Sequence, residues 1–294
     1  MSAPPVLVLQ SEESHPTKAI TSTDVAACYA QFGAVHPPHI AEIAGHRWTW
    51  REGGRPDAPP VLLLPGALGR PETSFEYITA LEPDFRVLAP GYPVALTTMS
   101  GLADGIAALL DVCRVDKAAV VGGSFGGLVA QTFAARHARR VGSLVLSDTS
   151  PPLLRRARRM SFCASAIGAL PFGVTRRVLR FGVARYVASL PQAIRSFWRT
   201  HFAEMVSMLS KAEIENRARA WCEFDRMFLA ADTSRPVLVL CAESDRAVSP
   251  QAFARQYPNA TIHIISSPLG HAASIGDANA YIAPMCAFLR RQIG

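Results

Sequence analysis

The feature that most restricts what this chain can fold into is a rhythm. Short apolar runs, each ended by glycine, proline or a small polar residue, recur at 60–66 (PVLLLPG), 85–90 (FRVLAP), 118–124 (AAVVGGS), 141–148 (VGSLVLSD), 236–242 (PVLVLCA) and 260–265 (ATIHII). Runs of this length, apolar at consecutive positions, read as strands buried on both faces. Between them the apolar spacing changes to three and four, as in 102–113 (LADGIAALLDVC) and 127–137 (GLVAQTFAARH), which is the repeat of a helix. Strand and helix in alternation imply an α/β fold, a mainly parallel sheet of about eight strands flanked by helices on both sides. Upstream, 40–50 (IAEIAGHRWTW) reads as an antiparallel hairpin at the sheet edge, with Trp48 and Trp50 on one face.

The rhythm stops after Asp148 and resumes at Pro236. From 151 to about 233 only helical pieces occur, such as RRVLRFGVARYVASL and RSFWRTHFAEMVSML, so an all-helical cap inserted into the core is expected. The expected organisation is an N-terminal extension (1–39), a core in two parts (40–150 and 234–294) and the cap (151–233). The excess charge falls on the same segment. Residues 151–235 hold 15 Lys or Arg against 6 Asp or Glu, a balance of +9, leaving 15 against 17, or −2, for the rest of a chain whose net charge is +7.

Within the cap, 160–174 (MSFCASAIGALPFGV) is uncharged for 15 residues and bracketed by Arg158, Arg159, Arg176 and Arg177. It is too short to span a bilayer and Pro171 interrupts it, so it is expected to pack over a pocket, with contact to a membrane surface as the alternative. No nucleic-acid partner is expected. The start, MSAPPVLVLQSEESH, lacks the cationic opening and long apolar run of a secretory signal, which makes the cytoplasm the expected compartment. The six cysteines are far apart, without CxxC or a neighbouring histidine at ligand spacing; free thiols are expected, and neither a zinc site nor a disulfide framework.

Chemistry concentrates at 120–131, VVGGSFGGLVAQ, where a strand runs through a glycine-rich turn into a helix. A phosphate loop would need a lysine after the last glycine, and Leu128 stands there. A dinucleotide fingerprint would need its middle glycine, whose lack of a side chain admits the pyrophosphate, where Ser124 stands. Gly122, Ser124 and Gly126 instead form G-x-S-x-G, in which small neighbours permit the strained turn that lifts a serine hydroxyl clear of the backbone.

A serine hydroxyl becomes a useful nucleophile only when a base takes its proton and a carboxylate orients that base. In this architecture the partners follow in the order serine, acid, histidine. Asp245, after the run 236–242, and His271, in SPLGHAAS after the last run, supply them at strand ends that converge on one edge of the sheet. Asp148 also ends a strand and is the alternative acid; Glu243 reads as a structural partner in the turn. Of the other histidines, His263 lies inside a strand, His137 reads as surface, and His201 lies in the cap, either on a solvated face or toward a pocket. The oxyanion donors expected are the amides of Phe125, directly after the nucleophile, and of Ala67, in the loop LPGALG. Phe181, Trp198 and Phe202 are the expected apolar lining from the cap.

The elbow GGSFGG, the loop PGALG, the acid turn ESD and the terminal LGHAAS together resemble the α/β-hydrolase superfamily over residues 40 to 294. YAQFGAVHPPHIAEI, VLAPGYPV and QYPNATIHI are similar to the maspardin-like proteins of that superfamily. Pro65 stands before Gly66, where many members carry histidine, so a hydrogen bond from that position is not expected. The resemblance implies a serine hydrolase acting on a carboxylic ester or related acyl bond of a small-molecule substrate chosen by the cap, with no metal or organic cofactor; the cap aromatics suggest an apolar substrate, and its arginines would tolerate an anionic group. A noncatalytic binding scaffold, or carbon–carbon bond hydrolysis or a lyase step on the same fold, are the alternatives.

Overall fold

In the computed structural model, which describes residues 7–10 and 21–292, the rhythm becomes one nine-stranded sheet. Its strands are β1 (Leu7–Gln10), β2 (His39–Ile43), β3 (His46–Gly53), β4 (Pro60–Leu64), β5 (Arg86–Gly91), β6 (Ala118–Gly123), β7 (Val141–Ser147), β8 (Val237–Ala242) and β9 (Thr261–Ile265), in the spatial order β1-β9-β8-β7-β6-β4-β5-β3-β2. Pairing is parallel from β1 across to β5, and the hairpin β2–β3 closes one edge antiparallel. Eight strands lie where the sequence reading put them. The ninth, β1, comes from the expected extension and pairs with β9 from Leu7 opposite Thr261; a four-residue apolar run is too short to separate a strand from any other apolar segment by its pattern alone. Residues 1–6 and 11–20, with the rest of that leader reading, lie outside the described residues.

Eleven helices accompany the sheet: α1 (Ser22–Val35), α2 (Phe75–Leu81), α3 (Met99–Val112), α4 (Phe125–Arg136), α5 (Leu154–Ala169), α6 (Phe172–Ala188), α7 (Gln192–Met208), α8 (Lys211–Phe224), α9 (Pro250–Gln256), α10 (Ala273–Gly276) and α11 (Ala278–Arg290), counted among the described residues. The core strands are apolar over most of their length because alternate side chains enter two different interiors. Leu62, Leu64, Val120 and Leu144 face Leu102, Ile106 and Leu109 of α3 and Leu128 and Phe133 of α4. Val61, Leu63, Val121 and Val145 face Phe75 and Ile78 of α2 and Met285 and Phe288 of α11. Each such side chain, fully removed from water, contributes about 1.5–3 kcal/mol.

Four helices, α5 to α8, fill the strandless stretch between β7 and β8, with α5 packed on α8 and α6 on α7. From the other side α7 is braced by α1, whose Val25, Tyr29 and Phe32 point inward at helical spacing. Tyr29 meets Phe197 edge-on at 5.7 Å and His201 at 4.5 Å. Part of the expected extension is therefore built into the body of the protein. No helix among the described residues is long and apolar enough to cross a membrane.

One buried ion pair ties the insertion together. The Asp225 carboxylate, just past α8, accepts hydrogen bonds from Arg156 Nε (2.6 Å) and Nη2 (2.5 Å) and from the Leu153 amide (3.1 Å) at the start of α5. It is wholly buried. Asp225→Asn keeps the shape but removes the charge that these donors face, and is expected to lower unfolding stability by about 2 kcal/mol in urea titration.

Candidate active site

The chain leaves the middle of the sheet through a strained turn. β6 ends at Gly123, Ser124 takes φ 50° and ψ −121°, and α4 begins at Phe125. A side-chain-bearing residue at positive φ is held there at a cost of about 1–3 kcal/mol. The surroundings fix it: the Ser124 amide donates to Ser147 O (2.9 Å), and its carbonyl accepts from Gly127 N (3.0 Å) and Thr149 Oγ1 (2.8 Å). The flanking glycines are needed for close approach. A Cβ on Gly126 would collide with Leu64 O and lie 2.7 Å from Pro65 O, and one on Gly122 would lie 2.6 Å from the Gly126 carbonyl carbon.

Neighbouring strand ends bring the partners. Ser124 Oγ lies 2.9 Å from His271 Nε2, and His271 Nδ1 lies 2.8 Å from Asp245 Oδ2. An ionised carboxylate only accepts, so Nδ1 carries the proton and Nε2 faces the hydroxyl as acceptor. The turn after β8 holds Asp245, whose second oxygen accepts from Ala247 N (2.8 Å). Ser244 Oγ bridges that turn to the histidine loop, donating to Ser267 O (2.6 Å) and accepting from Gly270 N (2.9 Å).

Charge in the site follows from these contacts. Burial pushes the Asp245 carboxyl up, but the hydrogen bonds from His271 and the Ala247 amide outweigh it and hold it below the ordinary 3.8. Burial likewise pushes His271 down, yet the hydrogen bond and charge of Asp245, with the charge of Asp148, carry it above the ordinary 6.5. Asp148 does not bond the histidine. It is buried beneath the site, accepts from Tyr281 Oη (2.7 Å), and its carboxyl is pushed up to about 6, chiefly by burial.

The two expected oxyanion donors stand on either side of the hydroxyl in chain terms. Phe125 opens α4, where an amide N–H has no intrahelical acceptor, and its ring is buried against Tyr92. Ala67 lines the cavity above Ser124, in a turn closed by Gly69 N donating to Gly66 O (2.9 Å). Two residues not singled out from the sequence hold that turn. Tyr92 donates from Oη to Pro65 O (2.9 Å) and from its amide to Gly69 O (3.1 Å), while the Arg217 guanidinium of α8 lies 5.1 Å from the Tyr92 ring centre and against Gly69.

The cavity measures about 290 Å³ and reaches Ser124 and His271. Leu179, Val183 and Tyr186 of α6, with Phe202 of α7, line the insertion side, and Leu68, Tyr77 and Ile275 lie among the core residues. Phe202 was expected; Phe181 and Trp198 are corrected. Phe181 sits two residues beyond Leu179, about 200° around the helix, and is 64% exposed on the outer face. Trp198 is buried behind the lining, between Phe75 (5.8 Å) and Phe202 (5.2 Å). The sequence signal for the true lining was present but faint: Leu179, Val183 and Tyr186 share one helical face. His201 is buried against Tyr29 and Phe197 rather than solvated, His137 pairs with Asp104 (2.8 Å), and Glu243 is exposed while its amide joins β9. Among the described residues no cluster of His, Cys, Asp or Glu could hold a metal ion, and all six cysteines are free.

Residues 59–276 match the sequence pattern of the alpha/beta hydrolase fold family. The chain belongs to that family. A poly(3-hydroxyalkanoate) depolymerase of Ectopseudomonas oleovorans is 35% identical over 105 residues, 33% of this chain and 37% of that protein. Human maspardin is 37% identical over 111 residues, 35% of this chain and 36% of its own length. The match thus spans just over a third of each of these curated relatives. Among solved structures, an α/β-hydrolase arrangement similar over 86% of this chain is found in a hydrolase of Pseudomonas aeruginosa PA01, with a TM-score of 0.71 at 19% identity and 98% of that chain covered.

Proposed function

We propose that the protein is a serine hydrolase that cleaves a carboxylic ester or related acyl bond by way of an acyl-enzyme. The observation that carries the reading is the unbroken hydrogen-bond chain from Ser124 through His271 to Asp245, at 2.9 and 2.8 Å. Ser124 Oγ attacks the carbonyl carbon while His271 Nε2 takes its proton. The amides of Phe125 and Ala67 hold the oxyanion that forms, an interaction worth about 10²–10³ in rate per donor in such sites. Collapse breaks the ester bond, and the departing alcohol receives the proton from Nε2. Water then adds to the acyl group with His271 again as base, releasing the acid and restoring Ser124. Asp245 holds the imidazole in the required tautomer throughout.

The helices of the insertion act as a cap that selects substrate. A cavity of about 290 Å³ lined by Leu68, Leu179, Val183 and Phe202 suits a small apolar acyl or alcohol group. The relative named for depolymerising a poly(3-hydroxyalkanoate) is in keeping with an ester substrate.

The test is labelling by a fluorophosphonate probe together with turnover of p-nitrophenyl esters of graded acyl length. Labelling and turnover that peaks at short to medium chains are expected. Absence of both would overturn the reading and favour a binding scaffold of the maspardin-like kind.

The pH profile has a definite sign. Protonated His271 cannot accept the serine proton, and its pKa is raised above 6.5, so kcat/KM should rise with pH through a limb centred above that value. Asp148→Asn keeps an oxygen for Tyr281 but removes a charge that favours the imidazolium. The limb should then move to lower pH in a rate profile measured across it, with the plateau largely retained.

A further inference from the structure

The outer side of the insertion is left without a partner by everything described so far. Between Asp148 and Glu204 the chain contains ten arginines and no aspartate or glutamate. Arg156 is paired with Asp225; among the described residues none of the other arginines of α5 and α6 has a carboxylate partner. On α5, Leu154, Arg158 and Phe162 follow one another at four-residue spacing along the exposed face, with Arg155 and Arg159 beside them. On α6, Val174, Val178, Phe181 and Arg185 form a second exposed stripe, flanked by Arg177 and Arg180. Phe162 is 75% and Phe181 64% exposed.

Cations and large apolar side chains interleaved on consecutive helices match one kind of surface. Anionic headgroups answer the arginines, and the adjoining acyl region takes up the phenylalanines and aliphatic side chains. Nucleic acid would answer the arginines but gives Leu154, Val174 and Val178 nothing to bury against. We infer that the outer face of α5 and α6 is a docking surface for an anionic phospholipid bilayer, bound peripherally.

The placement has a functional side. The opposite face of α6 carries Leu179, Val183 and Tyr186 into the cavity that holds Ser124 and His271. A protein seated on its α6 therefore rests with one thin layer of structure between the bilayer and the cavity.

The test uses the intact protein and does not depend on turnover. Co-sedimentation is measured with vesicles of phosphatidylglycerol and phosphatidylcholine in equal parts, with phosphatidylcholine vesicles, and with a single-stranded oligonucleotide. Binding to the anionic vesicles alone is expected, and its loss at about 1 M salt, where screening limits charge attraction to about 3 Å. Arg177→Gln with Arg180→Gln should weaken vesicle binding about 25-fold, taking about fivefold per arginine near a charged bilayer. Phe162→Ser with Phe181→Ser should also weaken vesicle binding. All four positions are exposed, and unchanged circular dichroism and melting temperature would verify that the variants are folded. Equal binding to neutral vesicles, indifference to the four substitutions, or binding confined to the oligonucleotide would each overturn the inference.

Discussion

Replacing Ser124 by alanine is expected to abolish fluorophosphonate labelling and to lower ester turnover by about 10⁶-fold. The size follows from the geometry. His271 lies 2.9 Å from the hydroxyl and 2.8 Å from Asp245, so in the proposed mechanism the three side chains act as one unit, and removing the attacking oxygen forfeits most of what the unit supplies. What should survive is the slow attack of water in a site that still holds its oxyanion donors, about 10³-fold above solution. Ser124→Ala combined with His271→Ala should therefore be hardly slower than either alone, and a multiplicative loss in the double variant would argue against a shared step. Stability should move the opposite way in a companion variant. Ser124→Gly relieves a residue held at φ 50°, so its melting temperature is expected to stay level or rise while activity vanishes.

The second large effect is expected at Gly126, a residue with no chemistry of its own. Its missing side chain is where the first turn of α4 rests on the end of β4, and a Cβ would strike the Leu64 carbonyl. Neither that oxygen nor the nearby Pro65 carbonyl is a flexible side-chain tip; both are backbone at the end of β4 and the start of its loop. Gly126→Ala should cost about 3 kcal/mol in urea unfolding, the upper end for overpacking a tight interior. The protein that remains folded should turn over about 100-fold more slowly, because a shift of about 1 Å between the amides of Phe125 and Ala67 would spoil the common aim proposed for them. A Gly126→Ala variant with wild-type stability and kcat would show that the contact yields freely and that this turn is not what sets the donors.

Much of the arrangement is legible in the sequence, and the reason is local. The strands 60–66 and 118–124 announced themselves because burial on both faces forces consecutive apolar residues, and the serine turn did so because its two close backbone approaches demand glycine at 122 and 126. Asp245 and His271 were legible through order and strand-end position. What was not legible depends on contacts between distant segments. Phe181 and Trp198 are aromatic residues on the right helices, but nothing local says which way a helix is rotated about its axis. That is decided by the seating of α6 against α7, and of α7 against α1. Tyr92 and Arg217 are not legible for the same reason: each acts on the Ala67 turn from far along the chain, with a hydrogen bond to Pro65 O in one case and side-chain packing against Gly69 in the other.

That last contact links two properties usually treated apart. Arg217 belongs to α8, the last helix of the insertion, and it leans on the turn that carries Ala67, the second oxyanion donor of the proposed mechanism. A substrate that leaves the insertion ajar would draw α8 back and slacken the turn, so misfit would register as slow turnover as well as weak binding. Under the proposed mechanism, fit and speed would be geared to each other through one guanidinium, and evolving this protein toward bulkier substrates would require retuning that gear along with the walls of the cavity.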